Sequence, residues 1–232
     1  IIDFWHRNIK ESKLFDREIL LGIDKRTKEI IDLIGVRRSG KSSVLKLIIK
    51  NLGLLENEFL FINFEDPFFI ENNSSKIIEE IIEVFKEEYG QKLKYIFFDE
   101  IQYLNNWERA VRKIRDGEKY KLYITGSSSK LLSRELATLL TGRHISYEIF
   151  PLSFSEFLAF NKFRTEGGRD IILNKNKILK YFDQYLKIGG FPEVVLNKRE
   201  ETLKNYFFDI LQKDIIVRYD IRDKGVLENI AV

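Results

Sequence analysis

The feature that most constrains this chain is a loop bounded by glycines, lying between an apolar strand and an apolar helix. Residues 34–49 read IGVRRSGKSSVLKLII, and Gly35–Ser42 match the phosphate-cradling pattern G-x-x-x-x-G-K-[ST]. Glycines let backbone N–H groups approach a phosphate closely, and the following helix adds the positive end of its dipole. The segment therefore predicts a strand–loop–helix unit that binds a nucleoside triphosphate.

Separate residues of this loop have separate predicted roles. Lys41 would reach the β- and γ-phosphates, and the hydroxyl of Ser42 would coordinate Mg²⁺. The predicted phosphate-binding residues are Gly35, Val36, Arg37, Arg38, Ser39, Gly40, Lys41, Ser42 and Ser43. For Arg37 and Arg38 the choice between phosphate contact and partner contact stays open. No Asn-Lys-x-Asp segment that would read guanine occurs, so adenine is the expected base.

A second motif, YIFFDE at residues 95–100, places two acids at the end of an apolar strand. Asp99 would hold Mg²⁺ through water, opposite Ser42. Glu100 would orient or deprotonate an attacking water, and the alternative is that it caps the loop. With the phosphate loop, this motif makes hydrolysis of ATP, with Mg²⁺ as cofactor, the leading hypothesis.

Strand-like and helix-like segments alternate around these motifs. The predicted strands are 28–35, 58–66, 92–100, 120–129 and 143–154, and the predicted helices between them are 42–51, 74–90, 105–117 and 129–142. Such alternation is typical of an α/β fold with a parallel sheet flanked by helices. After Pro151 the pattern becomes helical, over 153–163, 175–189 and 199–219. We predict a core at 1–152 and a smaller helical unit at 153–232.

The composition sets looser limits. The chain has 39 basic and 36 acidic residues, a net charge of +3 that neither demands nor excludes a nucleic-acid partner. It has no cysteine, which excludes disulfides and thiolate metal sites. It has no apolar run of membrane-spanning length and no secretory signal pattern. We expect a cytoplasmic protein without a membrane partner.

Seven motifs together carry a family resemblance: GVRRSGKSS, INFEDP, FFDEIQ followed by a tryptophan, ITGSSS, LLTGR, PLSFSEF and GGFPEVV. The chain resembles the archaeal and bacterial AAA+ ATPases of the STAND-related clade over nearly its whole length. The resemblance implies a P-loop three-layer sandwich with strand order 5-1-4-3-2. It also implies a helical lid and the start of a C-terminal domain.

The resemblance also implies roles for further residues. Thr125, ending the fourth strand, would sense the γ-phosphate, and the alternative is a simple strand-ending turn. Arg143 would reach the γ-phosphate of a neighbouring subunit in a homo-oligomer, with a surface arginine as the alternative. Pro192, in the turn Gly190-Phe191-Pro192, would touch the nucleotide, and the alternative is a helix C-cap followed by a proline stop. Asn63 would hydrogen-bond Glu100 and hold it inactive.

The motifs are compatible with three functions. The preferred one is an ATP-hydrolysing switch or motor, in which ATP closes the lid and hydrolysis releases it. An ATP-dependent DNA-binding or remodelling protein is the alternative, because similar architectures include replication-initiator-like members. A small-molecule kinase is less favoured, since it would need a site for a hydroxyl acceptor. Whether DNA or a protein is a partner stays open, and the sequence identifies neither.

Overall fold

A computed structural model describes residues 1–127, 140, 142–165, 167–216 and 227. The described chain forms two compact units. The core unit comprises Ile1–Gly35 and Lys41–Ile149, and the helical unit comprises Val36–Gly40 and Phe150–Val232. Most of the predicted helix at 129–142 lies outside the described residues.

The core unit contains five strands and their flanking helices. In chain order the described elements are α1 (Ile2–Glu11), a 3₁₀ turn (Glu18–Leu21), β1 (Ile30–Gly35), α2 (Lys41–Leu52), β2 (Phe59–Asn63), α3 (Phe68–Glu71), α4 (Ile77–Tyr89), β3 (Tyr95–Asp99), a 3₁₀ turn (Ile101–Tyr103), α5 (Trp107–Asp116), β4 (Lys121–Ser127) and β5 (His144–Glu148). Helix α1 is not predicted by the sequence analysis. β5 ends six residues before the end of the predicted strand.

All five strands are parallel, in the order β2-β3-β4-β1-β5. The predicted order 5-1-4-3-2 is therefore confirmed. Strand β1, which lies between β4 and β5, is buried along its whole length, as expected for a parallel sheet covered on both faces. Because parallel strands all run the same way, the ends of β1, β3 and β4 meet at one edge of the sheet.

Successive residues of β1, β2, β3 and β4 supply two separate hydrophobic cores. On one face Val44 and Ile48 of α2 pack with strand residues such as Leu33 and Phe97. The other face packs against residues of α4 and α5. This alternation follows from the two-residue period of side chains along a strand. The result is the predicted three-layer α/β arrangement.

The helical unit consists of short helices. They are α6 (Phe154–Phe160), α7 (Gly168–Leu173), α8 (Lys175–Ile188), α9 (Pro192–Asn197), α10 (Glu201–Ile210) and a π-helical segment (Leu211–Ile216). Ser153 starts α6 with a capping box, in which its hydroxyl accepts from the Glu156 N–H and the Glu156 carboxylate accepts from the Ser153 N–H. Among the described residues of the chain, no helix is long and apolar enough to cross a bilayer.

Backbone packing around Gly190 gives a test of the helical unit. A Cβ atom at this position would lie 2.4 Å from the Leu152 carbonyl oxygen, while the Leu152 N–H donates to the Gly190 carbonyl at 2.7 Å. We expect Gly190→Ala to lower the free energy of unfolding by about 1–3 kcal/mol, the usual cost of overpacking. Urea denaturation followed by circular dichroism measures this change.

Gly168→Ala is the matched control, because a Cβ atom at Gly168 would meet nothing within 4 Å. In a helix, alanine is favoured over glycine by up to about 1 kcal/mol, so this variant should be at least as stable as wild type. Equal stability of the two variants would contradict the close approach at Gly190.

Candidate functional site

The candidate site lies in the core unit, at the carboxyl ends of β1, β3 and β4. Gly35 ends β1, Asp99 ends β3, and Thr125 lies two residues before the end of β4. Lys41 and Ser42 begin α2. The first N–H groups of a helix have no partners within that helix, so this end of α2 attracts anions. The sheet order thus brings two distant predicted motifs to one edge.

Asp99 is a buried carboxylate surrounded by donors. The Thr125 hydroxyl donates to its Oδ1 at 2.6 Å, and the Asn63 amide donates to its Oδ2 at 3.3 Å. Burial raises the pKa of Asp99 to about 6, and the nearby charge of Glu100 acts in the same direction. Hydrogen bonds from Thr125 and Ser42 and the charge of Lys41 oppose this rise in pKa. Asp99 therefore accepts hydrogen bonds at both oxygens, and its raised pKa means that keeping it charged lowers the stability of the folded chain.

Asn63 corrects one sequence prediction. Its amide nitrogen donates to Asp99, not to Glu100, while its oxygen accepts from the Glu65 N–H at 2.8 Å. The second bond fixes which end of the amide faces Asp99. The physical reason is strand register, because Asn63 lies directly opposite Asp99 in the β2–β3 pair. Glu100 comes one residue later, where the chain has already left the strand.

Glu100 lies at a sharp turn after β3. Its backbone is left-handed, with φ of 51°, a conformation that costs a non-glycine residue energy and that clusters at functional sites. Its N–H donates to the Thr125 hydroxyl oxygen at 2.9 Å. Its carboxylate accepts from the Gln102 amide and lies 3.5 Å from the Lys41 ammonium. The turn thus keeps this second carboxylate at the site.

Lys41 is buried, with 4% of its surface exposed. Its ammonium donates to the Gly35 carbonyl at 3.2 Å and pairs with Glu100. A buried cation needs such partners because desolvation is costly. Next to it along α2, Ser42 is partly buried and Ser43 is exposed. Lys41 therefore joins the start of the loop to the acidic end of β3.

Thr125 has a role that the sequence analysis missed. A hydroxyl carries a single proton, and Thr125 gives that proton to Asp99 while accepting from the Glu100 N–H. It thereby ties the two acids together across neighbouring strands. Only the pairing of β3 with β4, which a single sequence does not display, reveals this bridge. Its predicted contact with a γ-phosphate stays a prediction.

The loop residues Val36–Gly40 belong to the helical unit, and so does Pro192. The segment Val36–Gly40 is a tight turn in which the Ser39 N–H donates to the Val36 carbonyl at 3.3 Å. Pro192 is the first residue of α9. Its neighbour Glu193 lies 3.3 Å from the Arg38 guanidinium. Contact of Pro192 with a nucleotide stays a prediction.

Arg143 lies at the opposite edge of the sheet. Its carbonyl accepts from the N–H of Ile30, the first residue of β1, and its guanidinium pairs with Asp116 at 3.2 Å. Strand β1 spans about 17 Å between its ends at 3.3 Å per residue. Arg143 is therefore not part of the site in its own chain, and a role in a neighbouring subunit stays a prediction.

Comparisons with known proteins identify the family of this chain. Residues 27–158 match the family model described as an AAA domain. An uncharacterised protein of Methanocaldococcus jannaschii is 38% identical over 96% of this chain and 50% of its own length. An uncharacterised protein of Haemophilus influenzae is 32% identical over 90% of this chain and 51% of its own length. The chain thus spans about half the length of these relatives.

A solved structure, that of Caenorhabditis elegans PCH-2, aligns with a TM-score of 0.42 and 16% identity. The alignment covers 76% of this chain and 45% of that one. The family assignment rests on the AAA-domain match, which extends over more than half of the chain. From β1 through the start of α6, that match includes every core-unit residue of the candidate site. The chain belongs to the AAA domain family of P-loop ATPases.

Proposed function

We propose that this chain binds ATP with Mg²⁺ through Gly35–Ser43 and hydrolyses it with Glu100, acting as a molecular switch. One observation carries the proposal: Lys41, Asp99, Glu100 and Thr125 are all buried together at one edge of the sheet. A cation for phosphate, a carboxylate for a metal and a second carboxylate for water are the parts that phosphoryl transfer to water needs.

The oxygen donors at the site suit Mg²⁺. The hydroxyl of Ser42 and the carboxylate of Asp99 are hard oxygen ligands, and the hydrogen bond between them keeps them adjacent. When bound, Mg²⁺ would neutralise charge on the transferring phosphoryl group. Thr125 and Asn63 would orient Asp99 for this task, because each donates to a different carboxylate oxygen. Such outer partners fix the direction in which a ligand oxygen points.

Glu100 is the proposed acceptor of a proton from the attacking water. Gln102 and Lys41 hold its carboxylate from two sides. Phosphate groups in the loop would attract the Lys41 ammonium and so compete with Glu100 for it. Weaker pairing with Lys41 would leave Glu100 a better base. The Lys41–Glu100 pair therefore gives the site a way to respond to nucleotide.

The burial of two adjacent acids supports a functional role. Burial and the Glu100 charge both raise the pKa of Asp99, so the folded chain gives up stability to keep this group. Groups with such shifts concentrate at functional sites. A merely structural strand end would be more stable with an uncharged residue at position 99.

The first of three predictions from the proposed function concerns Glu100→Gln. Loss of the base should lower phosphate release from ATP by about 100-fold or more, while ATP affinity stays within a few-fold of wild type. Phosphate release with Mg²⁺ and equilibrium ATP binding are the two measurements. Glu83→Gln, at an exposed position on α4, is the matched control and should match wild type. If the wild-type chain binds ATP but releases no phosphate, the proposed hydrolysis is wrong and only the proposed ATP binding is supported.

The second prediction concerns the hydroxyl of Thr125. Thr125→Val keeps the shape but leaves the Glu100 N–H without its acceptor and Asp99 without its shortest hydrogen bond. An unsatisfied buried polar group costs about 1–3 kcal/mol of stability. If the same free energy is lost from the transition state because the two acids are displaced, turnover should fall by about 5- to 150-fold. Thr125→Ser should recover most of the activity. Equal losses in the two variants would show that the hydroxyl is not the part that matters.

The third prediction uses the raised pKa of Asp99. Because the folded chain binds this proton more tightly than the unfolded chain, the Asp99 charge costs stability above pH 6, and the cost is gone below pH 3.8. The stability of Asp99→Asn relative to wild type should therefore be greater at pH 8 than near pH 3.5, by about 3 kcal/mol. Urea denaturation across this range measures it.

Asp183→Asn, at an exposed position on α8, is the matched control for the pH series. A difference between Asp99→Asn and wild type that does not change with pH would contradict the burial cost. This measurement needs no nucleotide, so it examines the site independently of turnover.

A further inference from the structure

Arg38 is a residue of the phosphate loop whose side chain is engaged by the helical unit. Its guanidinium lies 3.3 Å from Glu193 of α9 and 3.5 Å from Asp209 of α10. All three residues belong to the unit formed by Val36–Gly40 and the residues after Ile149. The sequence alone leaves open whether Arg38 contacts phosphate or another partner. Two carboxylates on two helices provide that other partner.

An aromatic ring completes the contact. The central carbon of the Arg38 guanidinium lies 4.1 Å from the centre of the Tyr206 ring. Tyr206 is 3% exposed, packs edge-on against Phe191 and donates its hydroxyl proton to Glu193. Ion pairs between exposed groups contribute little, and the side chains of Arg38 and Glu193 are 41% and 56% exposed. Stacking on the buried Tyr206 ring therefore adds a contact comparable with the two ion pairs, and its partner ring is itself held in place by packing.

The backbone at Arg38 explains why the loop needs this contact. Arg38 has φ of 65° and is the third residue of the turn closed by the Ser39 N–H and the Val36 carbonyl. A positive φ at that position normally selects glycine or asparagine. Arginine has no local hydrogen bond of its own to offset the steric cost. Its side-chain contacts with α9 and α10 can offset that cost instead.

We infer that Arg38 is a positioning residue, whose docking on Tyr206 between Glu193 and Asp209 holds the loop Val36–Gly40 in its left-handed turn. Arg38 then acts on nucleotide through the shape of the loop and not through contact with phosphate. The consequence for ATP rests on the proposed function, whereas the docking and its effect on the loop do not. The helical unit thereby controls the geometry of the phosphate loop.

The first test follows the loop without any nucleotide. Amide hydrogen exchange is measured for a peptide that covers residues 36–40 in wild type, Arg38→Lys, Arg38→Ala and Tyr206→Leu. Lysine keeps the charge but loses the planar stack, and as a surface change it does not threaten folding. All three variants should exchange faster by about tenfold in the loop. Phe207→Leu, at the exposed neighbouring ring, is the matched control and should match wild type.

The second test separates backbone strain from phosphate contact. Arg38→Gly loses the docking but accepts a positive φ freely, whereas Arg38→Ala loses the docking and keeps the strain. ATP and ADP affinities should therefore fall about tenfold in Arg38→Ala and clearly less in Arg38→Gly, with both nucleotides affected equally. The double variant Arg38→Ala with Tyr206→Leu should bind nucleotide no more weakly than whichever of the two single variants has the lower affinity, because both substitutions remove the same contact.

The possible results separate the two claims. Loss of ATP affinity but not of ADP affinity in Arg38→Ala, with Tyr206→Leu like wild type, would show that Arg38 contacts phosphate and would overturn the inference. Unchanged loop exchange in all three variants would also overturn it. If wild type binds no nucleotide, the proposed function fails, while the exchange experiment still decides whether Arg38 holds the loop.

Discussion

The hydroxyl of Thr125 is the point on which the geometry of the site depends. It donates to Asp99 and accepts from the backbone of Glu100, so one side chain fixes both acids. The acids follow each other in sequence, but Asp99 is the last residue of β3 while Glu100 begins the turn after it with a left-handed backbone. Without a fixed partner on β4, that strained turn would be free to relax. The site therefore depends on the sheet order, which places β4 next to β3 and so brings Thr125 to both acids.

Charge balance is the second constraint on the site. Two buried carboxylates lie side by side, and burial and repulsion raise the pKa of Asp99. The buried ammonium of Lys41 opposes this effect while it pairs with Glu100 and the Gly35 carbonyl. A site with two carboxylates and one buried ammonium carries an excess of negative charge, which suits the proposed binding of a divalent metal together with phosphate. The same two buried carboxylates therefore lower the stability of the folded chain and supply the groups for the proposed chemistry.

Particular residues show how far the sequence could predict the structure. The loop Gly35–Ser42 and the acids at 99 and 100 are local patterns, so the strands before them and the helix α2 were predictable from short windows. The resemblance to a known family supplied the strand order, which the structure confirms. Asn63 was assigned the wrong partner because register is a property of paired strands. The docking of Arg38 was not predicted, since its partners lie more than 150 residues away.

Local patterns in the sequence specify three features of this chain: a loop of the phosphate-binding type, a buried strand whose last residue Asp99 is followed by Glu100, and helices with one apolar face. Each of these features depends on neighbours within a few residues, and hydrophobic period and backbone chemistry are sufficient to specify them. The three-dimensional fold is needed to know which side chains meet: Thr125 with both acids, Asn63 with Asp99, and Arg38 with Tyr206. Those contacts depend on strand register and helix packing, because they join residues that lie far apart along the chain.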